Sequence, residues 1–376
     1  MQSNMGRLKR VEGIRGFASI IVFVHHFAVM FYPAFYWGGI ERSHCNGMDI
    51  WVGQTPLSFV INGNSGVMIF LTLVGFGTYM VCEKGTKSYA KYIVLRYVKL
   101  LLLAIAASAF VLVLFRMNLT FFQDIIGEIY TPWFDNWNPL EVDYLTLLKE
   151  NPLVSLQKYN NTLWTMQYIF GGSIFCVVLY RVCDNCRNRH LIYLLSVIVL
   201  LNMQAIYYLP CVFGFLLADL YCHNPEWKLN NYAGIILLAA GIYMCAYPTG
   251  VAPSLAVYSF LPFEYRYYYH MIGAGCIVCA VLFMPFLTRC MEGRIMQFLG
   301  KYSMAIYMVH YGVLISFSAW LYSILSDHIG YNRTAVCNLI ATSCVVVVAS
   351  LGLQKIMDLA YRGLNRLYEV LFEKEV

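Results

Sequence analysis

Residues 14–33 read IRGFASIIVFVHHFAVMFYP, and this run decides the fold class of the chain. An apolar stretch of about 20 residues is long enough for a helix to cross a bilayer. Similar runs recur along the 376 residues, of which 60% are hydrophobic and 12% charged. A soluble domain carries about 25% charged residues, so this chain cannot coat a water-soluble surface of its size. Backbone groups in lipid must be satisfied within each segment, so continuous runs predict an all-α polytopic membrane protein.

About ten transmembrane helices are expected in one integral membrane domain, residues 1–376. The predicted spans are approximately 14–33, 57–82, 93–115, 162–182, 190–206, 208–222, 232–248, 269–288, 303–325 and 335–354. Residues 355–376 follow as a short amphipathic cytoplasmic tail, with apolar residues roughly on one face. A helix lying on the membrane surface and a simple extension of the last span both fit that pattern.

The distribution of lysine and arginine sets the expected orientation, because cytoplasmic loops carry an excess of both. With the N-terminus inside, the basic loops all fall on the inner side, whereas the long loop 116–161 carries many acidic residues. Both termini are therefore expected in the cytoplasm. The net charge of +6 reflects these topological cations, and no nucleic-acid partner is predicted.

The thirteen cysteines give little evidence of a metal or of disulfides. Most of them lie in apolar runs, where cysteine behaves as a small hydrophobic residue. Cys183 and Cys186, with His190 nearby, have the spacing of half a zinc site. No second pair follows at a suitable distance, so no metal site is predicted.

Two ionisable residues in the first span are candidates for chemistry, because such groups are costly within a membrane. Arg15 and His26 are eleven residues apart, which returns almost to the same helix face after a rise of about 16 Å. Histidine is suited to moving protons near neutral pH. A capping arginine with a hydrogen-bonded core histidine is the alternative reading of this pair.

The third span opens with Arg96 and Lys99, three residues apart and so on one helix face. Two cations just inside the membrane boundary suit a polyanion such as a phosphorylated cofactor. An ordinary anchor that obeys the positive-inside rule fits them equally.

The opening motif Glu12-Gly-Ile-Arg15-Gly-Phe-Ala-Ser, followed by His25-His26, resembles the first-helix signature of the acyltransferase family 3 membrane proteins. In that family an arginine precedes an essential histidine by ten intervening residues. Further motifs follow in the family's order, at 62–66 and 69–76, Arg96-Tyr-Val-Lys99, 163–166 with Gly172-Ser173, and 299–310. The resemblance spans residues 7 to about 312.

The resemblance implies an O-acyltransferase that moves an acyl group, with acetyl expected, from cytoplasmic acyl-CoA to a hydroxyl. It implies a carbohydrate or glycolipid acceptor of the cell envelope, polysaccharide O-acetylation, and a bacterial inner membrane. Acyl-CoA is the donor substrate, and no permanently bound cofactor is expected. His26 and Arg15 would be catalytic, and Arg15, Arg96 and Lys99 would hold the CoA moiety. The oligomeric state is not predicted.

Four further residues are expected to bind the acceptor: Trp164, Ser303, Tyr307 and His310. Ser303 and His310 are seven residues apart and share a helix face. For His310 a structural hydrogen bond between helices is the alternative. Trp164 fits an interfacial aromatic belt as well as a ring that stacks on a sugar.

Three positions depart from the family's pattern. Val74 stands where a serine is expected before Gly75, Ile169 stands where many members have an acidic residue, and Lys99 replaces an arginine. A lysine cannot supply the bidentate fork of an arginine. These departures keep open a second hypothesis, a non-catalytic or transporter-like membrane relative of the family.

Overall fold

The computed structural model describes residues 2–85, 88–134, 150–184, 186–224 and 226–372, and none of these residues is in a strand. The long helices are α1 (Gln2–Phe31), α2 (Gly63–Glu83), α3 (Tyr89–Arg116), α4 (Met166–Asp184), α5 (Arg189–Asn202), α6 (Leu209–His223), α7 (Asn231–Cys245), α8 (Arg266–Phe283), α9 (Arg294–Val313), α10 (Ala319–Ile329) and α11 (Tyr331–Phe372). Short α-helices are Ala34–Trp37, Met48–Gly53, Phe122–Ile129, Pro152–Ser155 and Pro285–Met291. Short 3₁₀ turns are Ile40–Arg42, Pro56–Ile61, Pro132–Phe134, Leu156–Lys158, Asn161–Thr165, Ile206–Tyr208 and Phe263–Tyr265, and Leu314–Ser318 is a π-helical turn.

Eight helical stretches of the described chain are long and apolar enough to cross a membrane, and α5 and α7 are shorter apolar helices. Each of the ten predicted spans overlaps one of these segments. The prediction of an all-α polytopic membrane protein is therefore confirmed. Part of the acidic loop, residues 135–149, and the last four residues of the predicted tail lie outside the described residues.

The chain divides into two compact units. Unit 1 comprises Met1–Ile93, Ile126–Asp135 and Gln167–Ser303, and unit 2 comprises Val94–Ile125, Asn136–Met166 and Met304–Val376. Boundaries fall within α3, the short helix Phe122–Ile129 and α9, and after the first residue of α4. The prediction of a single domain stays a prediction.

Helix α2 is the most enclosed helix of unit 1, and glycines set how closely its neighbours approach. A side chain at Gly75 would meet the backbone of Cys211 in α6, and one at Gly214 of α6 would meet the backbone of Thr72. Small residues allow membrane helices to pack backbone against backbone. Asn62 caps the start of α2 by accepting a hydrogen bond from the Ser65 amide.

Helix α1 packs in the same way against the N-terminal half of α9. A side chain at Gly16 would meet the backbone of Leu299 and Gly300, and one at Gly300 would meet the backbone of Glu12. Gly16, which follows Arg15 in the opening motif, and Gly300 of α9 are therefore required by close helix packing. Their role is to fix the helix that carries Arg15 and His26.

Unit 2 is held together by buried polar groups as well as by apolar packing. Gly312 faces Phe110 of α3, and the Phe121 amide donates to the carbonyl of Ile315 in the π-helical turn. The Asn338 side chain of α11 donates to the Ser318 carbonyl at 2.9 Å and accepts a hydrogen bond from Thr342. Such bonds satisfy groups that lipid cannot.

Helix α11 runs without a break from the last predicted span into the predicted tail, over 42 residues. The tail is thus helical up to Phe372. Its position on the inner surface of the membrane stays a prediction.

Candidate active site

Arg15 lies on α1 with a carboxylate one turn before it. Its Nη1 donates to Oε1 of Glu12 at 3.0 Å, and the two side chains remain 34% and 32% exposed. An ion pair this exposed contributes little stability, because water screens it. The guanidinium is therefore only partly engaged and can exchange Glu12 for another anion.

His26 stacks flat on an aromatic ring from a distant part of the sequence. The imidazole and the Trp133 ring lie 4.8 Å apart between centroids, with an angle of 3° between their planes. The segment that carries Trp133 is attached to α1 by a hydrogen bond from the Thr131 hydroxyl to the Val29 carbonyl, at 2.8 Å. Stacking fixes the plane of a half-buried imidazole and leaves its two nitrogens at the ring edge.

His25 has a different environment from its neighbour. Its Nδ1 donates to the Ile61 carbonyl at 2.8 Å, since a carbonyl only accepts. Phe35 and Tyr36 contact its ring edge-on at 5.8 and 5.6 Å, and Gly63 leaves room for it. His25 is thus held as a positioning residue, one helix position before His26.

A second polar cluster in unit 1 joins α2 to α8, and the sequence analysis assigned it no role. His270 is completely buried, and its Nε2 donates to the Tyr247 carbonyl at 2.7 Å. Its Nδ1 therefore has a free lone pair, which accepts a hydrogen bond from Asn64 Nδ2 at 2.7 Å. Asn62 also donates to the Tyr247 carbonyl, at 2.9 Å. The cluster fixes the start of α2 next to His25.

A signal for this cluster was present in the sequence. His270 lies within the predicted span 269–288, and ionisable residues in a span are candidates by default. Asn62 and Asn64 belong to the quoted motif 62–66. Nothing in the local sequence pairs them, because the contact joins residues far apart in the chain.

The predicted acceptor-binding residues Trp164, Tyr307 and His310 come together in unit 2. The Tyr307 hydroxyl donates to the Thr162 carbonyl at 2.7 Å and contacts the Thr165 hydroxyl at 2.9 Å, on either side of Trp164. The His310 ring lies 5.8 Å from that of Tyr307. Tyr307 therefore attaches the turn that carries Trp164 to α9.

Other predicted site residues hold their own helices together. His310 Nδ1 donates to the Ile306 carbonyl at 3.1 Å, within the same helix. Ser303 is buried in unit 1, where its hydroxyl donates to the Gly300 carbonyl at 2.8 Å. Their acceptor-binding role stays a prediction.

Arg96 and Lys99 lie in unit 2, both half-buried, on the first turns of α3 after the unit boundary. The Lys99 ammonium lies 5.6 Å from the centroid of the Tyr361 ring, and the Tyr361 hydroxyl donates to the Lys99 carbonyl. The lysine that departs from the family's arginine thus rests on an aromatic ring of α11. CoA binding by this pair stays a prediction.

The other two departures lie in packed positions of unit 1. Val74 is buried, and a side chain at Gly172 of α4 would meet both Val74 and Cys211. Ile169 is also buried, and its carbonyl accepts the Ser173 hydroxyl at 2.7 Å. Apolar packing occupies the places where the family's serine and acidic residue are expected.

Comparison with known proteins places the chain in a family. The model of the acyltransferase-3 family, described as an acyltransferase domain, matches residues 8–354. Two curated fungal relatives are acyltransferase clz18 of Cochliobolus lunatus, 23% identical over 47% of this chain, and acyltransferase R4 of a Phoma species, 26% identical over 44%.

The alignments cover 43% and 41% of those relatives, so the chain spans less than half of their length. No solved structure matches this chain significantly. A match over residues 8–354 takes in the ten predicted spans and the motifs around Arg15 and His26. The chain belongs to the acyltransferase-3 family.

Proposed function

We propose that this protein transfers an acyl group, in the first instance acetyl, from acyl-CoA to a hydroxyl of a carbohydrate or glycolipid. The observation that carries the proposal is the imidazole of His26, half-buried and held parallel to Trp133. A histidine held in one plane at the end of a helix is suited to general base catalysis. Family membership supplies the reaction class.

In the proposed reaction His26 removes the proton of the acceptor hydroxyl. The oxygen attacks the thioester carbonyl and forms the new ester bond, while the carbon–sulfur bond breaks. The CoA thiolate leaves with the electron pair and takes up the proton from His26. His25, bonded to Ile61, keeps the end of α1 in place and does not take part in proton transfer.

Arg15, Arg96 and Lys99 are proposed to bind the phosphates of CoA. The partly exposed ion pair with Glu12 supports this for Arg15, because a phosphate can compete with a single carboxylate. Both termini would then face the compartment that contains acyl-CoA. We propose that the acceptor binds to four other residues: Trp164, Ser303, Tyr307 and His310.

We propose that the reaction takes place in a lipid bilayer, because the apolar helices require one. A bacterial inner membrane follows from the family resemblance, whereas the two curated relatives are fungal. The choice of cell-envelope polysaccharide as acceptor, and of O-acetylation as the modification, belongs to the proposal as well.

The test measures transfer of labelled acetyl from acetyl-CoA into carbohydrate, in membranes that contain the native protein, His26→Ala or His328→Ala. His328 is an exposed histidine and serves as the matched control. We expect His26→Ala to lower transfer about 10²- to 10⁴-fold and His328→Ala to leave it unchanged. Equal transfer by native protein and His26→Ala would refute the role of His26 as the general base. No thioester turnover with acetyl or longer donors would favour the non-catalytic, transporter-like alternative.

A further inference from the structure

Arg266, the first residue of α8, holds its guanidinium close to two aromatic rings. The group lies 4.4 Å from the centroid of Phe263 and 4.5 Å from that of Tyr267. Its Nη1 donates to the Phe263 carbonyl at 3.2 Å, and the residue is half-buried. Both rings are within cation–π distance of the guanidinium, whose N–H groups lie in its own plane and donate hydrogen bonds at its edge.

This guanidinium has no counter-ion among the residues that the structure describes. No carboxylate oxygen of those residues lies within 4.0 Å of it, and its Nε is buried without a hydrogen-bond partner. The nearby Glu264 is exposed. Four other arginines of unit 1 each form an ion pair with a carboxylate: Arg10, Arg15, Arg42 and Arg189. A buried N–H without a partner is costly, so a hydrogen-bond acceptor is expected at this nitrogen.

The edge of Arg266 belongs to a polar and aromatic region that leads back to His26. The Tyr267 ring lies 6.1 Å from Tyr207, whose hydroxyl donates to the Asn64 side chain. Asn64 follows Gly63, and a side chain at Gly63 would meet the ring of His25.

His25 and His26 lie 5.1 Å apart between ring centroids. A continuous set of neighbours within unit 1 thus connects the guanidinium with the proposed base. The dipole of α8 adds positive potential at Arg266, because a helix N-terminus favours anions. Tyrosine and asparagine side chains in the same region suit the hydroxyls of a sugar.

We propose that Arg266 binds an anionic group, a carboxylate or a phosphate, on the hydroxyl compound that His26 deprotonates. The inference rests on the proposed function and narrows its acceptor to an acidic one. Arginine presents a planar fork that matches both oxyanions through paired hydrogen bonds. The contacts with the two rings and the hydrogen bond to the Phe263 carbonyl restrict the orientation of that fork.

The experiment measures binding by thermal unfolding of the native protein, Arg266→Gln and Arg266→Lys in phosphatidylcholine nanodiscs. The probes are methyl glucuronide against methyl glucoside, and glycerol 3-phosphate against glycerol, at equal ionic strength. We expect the native protein to bind one anionic probe about tenfold more tightly than its neutral counterpart. Arg266→Gln should lose this preference, and Arg266→Lys should keep only part of it.

Arg42→Gln is the matched control, because Arg42 is a surface arginine paired with Glu41. The inference is overturned if Arg266→Gln keeps the preference, or if the native protein shows none. Nanodiscs that contain phosphatidylglycerol test whether the bound anion is the headgroup phosphate of a lipid. If that lipid alone stabilises the native protein but not Arg266→Gln, the site binds a lipid phosphate. The proposal that Arg266 binds an acidic acceptor would then be overturned.

Release of CoA thiol from acetyl-CoA with the same probes separates the two proposals. Discrimination that depends on Arg266, without thiol release for any acceptor or donor, would show an anion site at Arg266 but refute the transferase, and with it the assignment of that anion to an acceptor. Thiol release that depends on His26, without discrimination by Arg266, would support the transferase and refute the acidic acceptor.

Discussion

His26 and His270 are both histidines of unit 1, but their surroundings differ in a way that separates chemistry from structure. His270 is completely buried, and both its nitrogens make hydrogen bonds, to Tyr247 and Asn64. His26 is half-buried, and the face of its ring stacks on Trp133.

This difference indicates which of the two histidines can transfer a proton. A ring whose two nitrogens are both used by buried protein groups cannot accept a proton without breaking a bond. A ring held by its face keeps its orientation, and in the proposed reaction its edge reaches the acceptor hydroxyl. Substitutions at the two histidines should therefore separate activity from stability.

The largest effect is expected for His26→Ala. Loss of a general base lowers turnover about 10²- to 10⁴-fold, and the half-buried position leaves the unfolding temperature close to that of the native protein. Steady-state thiol release and thermal unfolding of the same preparation check both parts. A large drop in the unfolding temperature would instead give His26 a structural role like that of His270.

A substantial loss of stability is expected for His270→Ala. The change leaves the buried Tyr247 carbonyl and Asn64 amide with fewer partners and opens a cavity, which costs about 2 kcal/mol or more. The measurement is the free energy of unfolding in detergent, with the exposed His328→Ala as control. Native stability combined with abolished turnover would contradict this assignment and place His270 in the chemistry.

The sequence analysis anticipated His26 and not His270, and the reason is physical. A track of Arg15 and His26 on one helix follows from helical periodicity, which is a local property. The ten spans likewise follow from local hydrophobicity. Trp133 and Asn64, the partners of the two histidines, lie far from them in the chain, and periodicity gives no information about such contacts.

The glycines illustrate the same limit. The motif shows Gly16 and Gly75 beside residues of interest, which suggests a role in the site. The structure shows that they allow α1 and α2 to touch the backbones of Leu299 and Cys211. This packing sets the geometry of the site, but which helix each glycine meets depends on the tertiary fold.

A moderate effect is expected for Trp133→Ala, which removes the ring that holds His26. A stacked aromatic pair contributes about 0.5–1.5 kcal/mol, so turnover should fall up to about tenfold, with Trp133→Phe closer to the native value. The ratio kcat/KM for the two variants checks this expectation. Equal activity of Trp133→Ala and native protein would show that the stack does not position the base.

The smallest effect concerns His44, a third histidine of unit 1, outside the spans. Burial lowers its pKa below the ordinary value of about 6.5, while its bond to the Ile129 carbonyl and the charge of Asp49 partly oppose the shift. The folded protein therefore keeps His44 neutral at a pH where the unfolded chain binds a proton. Its contribution to stability is full above about pH 6.5 and declines as the pH falls toward the folded value.

His44→Gln should remove this part of the pH dependence. The unfolding temperature of the native protein should drop between about pH 7.5 and about pH 5.5, and the variant should show a smaller drop over that interval. His328→Ala is again the control, because His328 is an exposed histidine. An equal drop in native protein and His44→Gln would show that His44 is not kept neutral by burial, and that its contact with the segment before Trp133 tolerates the charge.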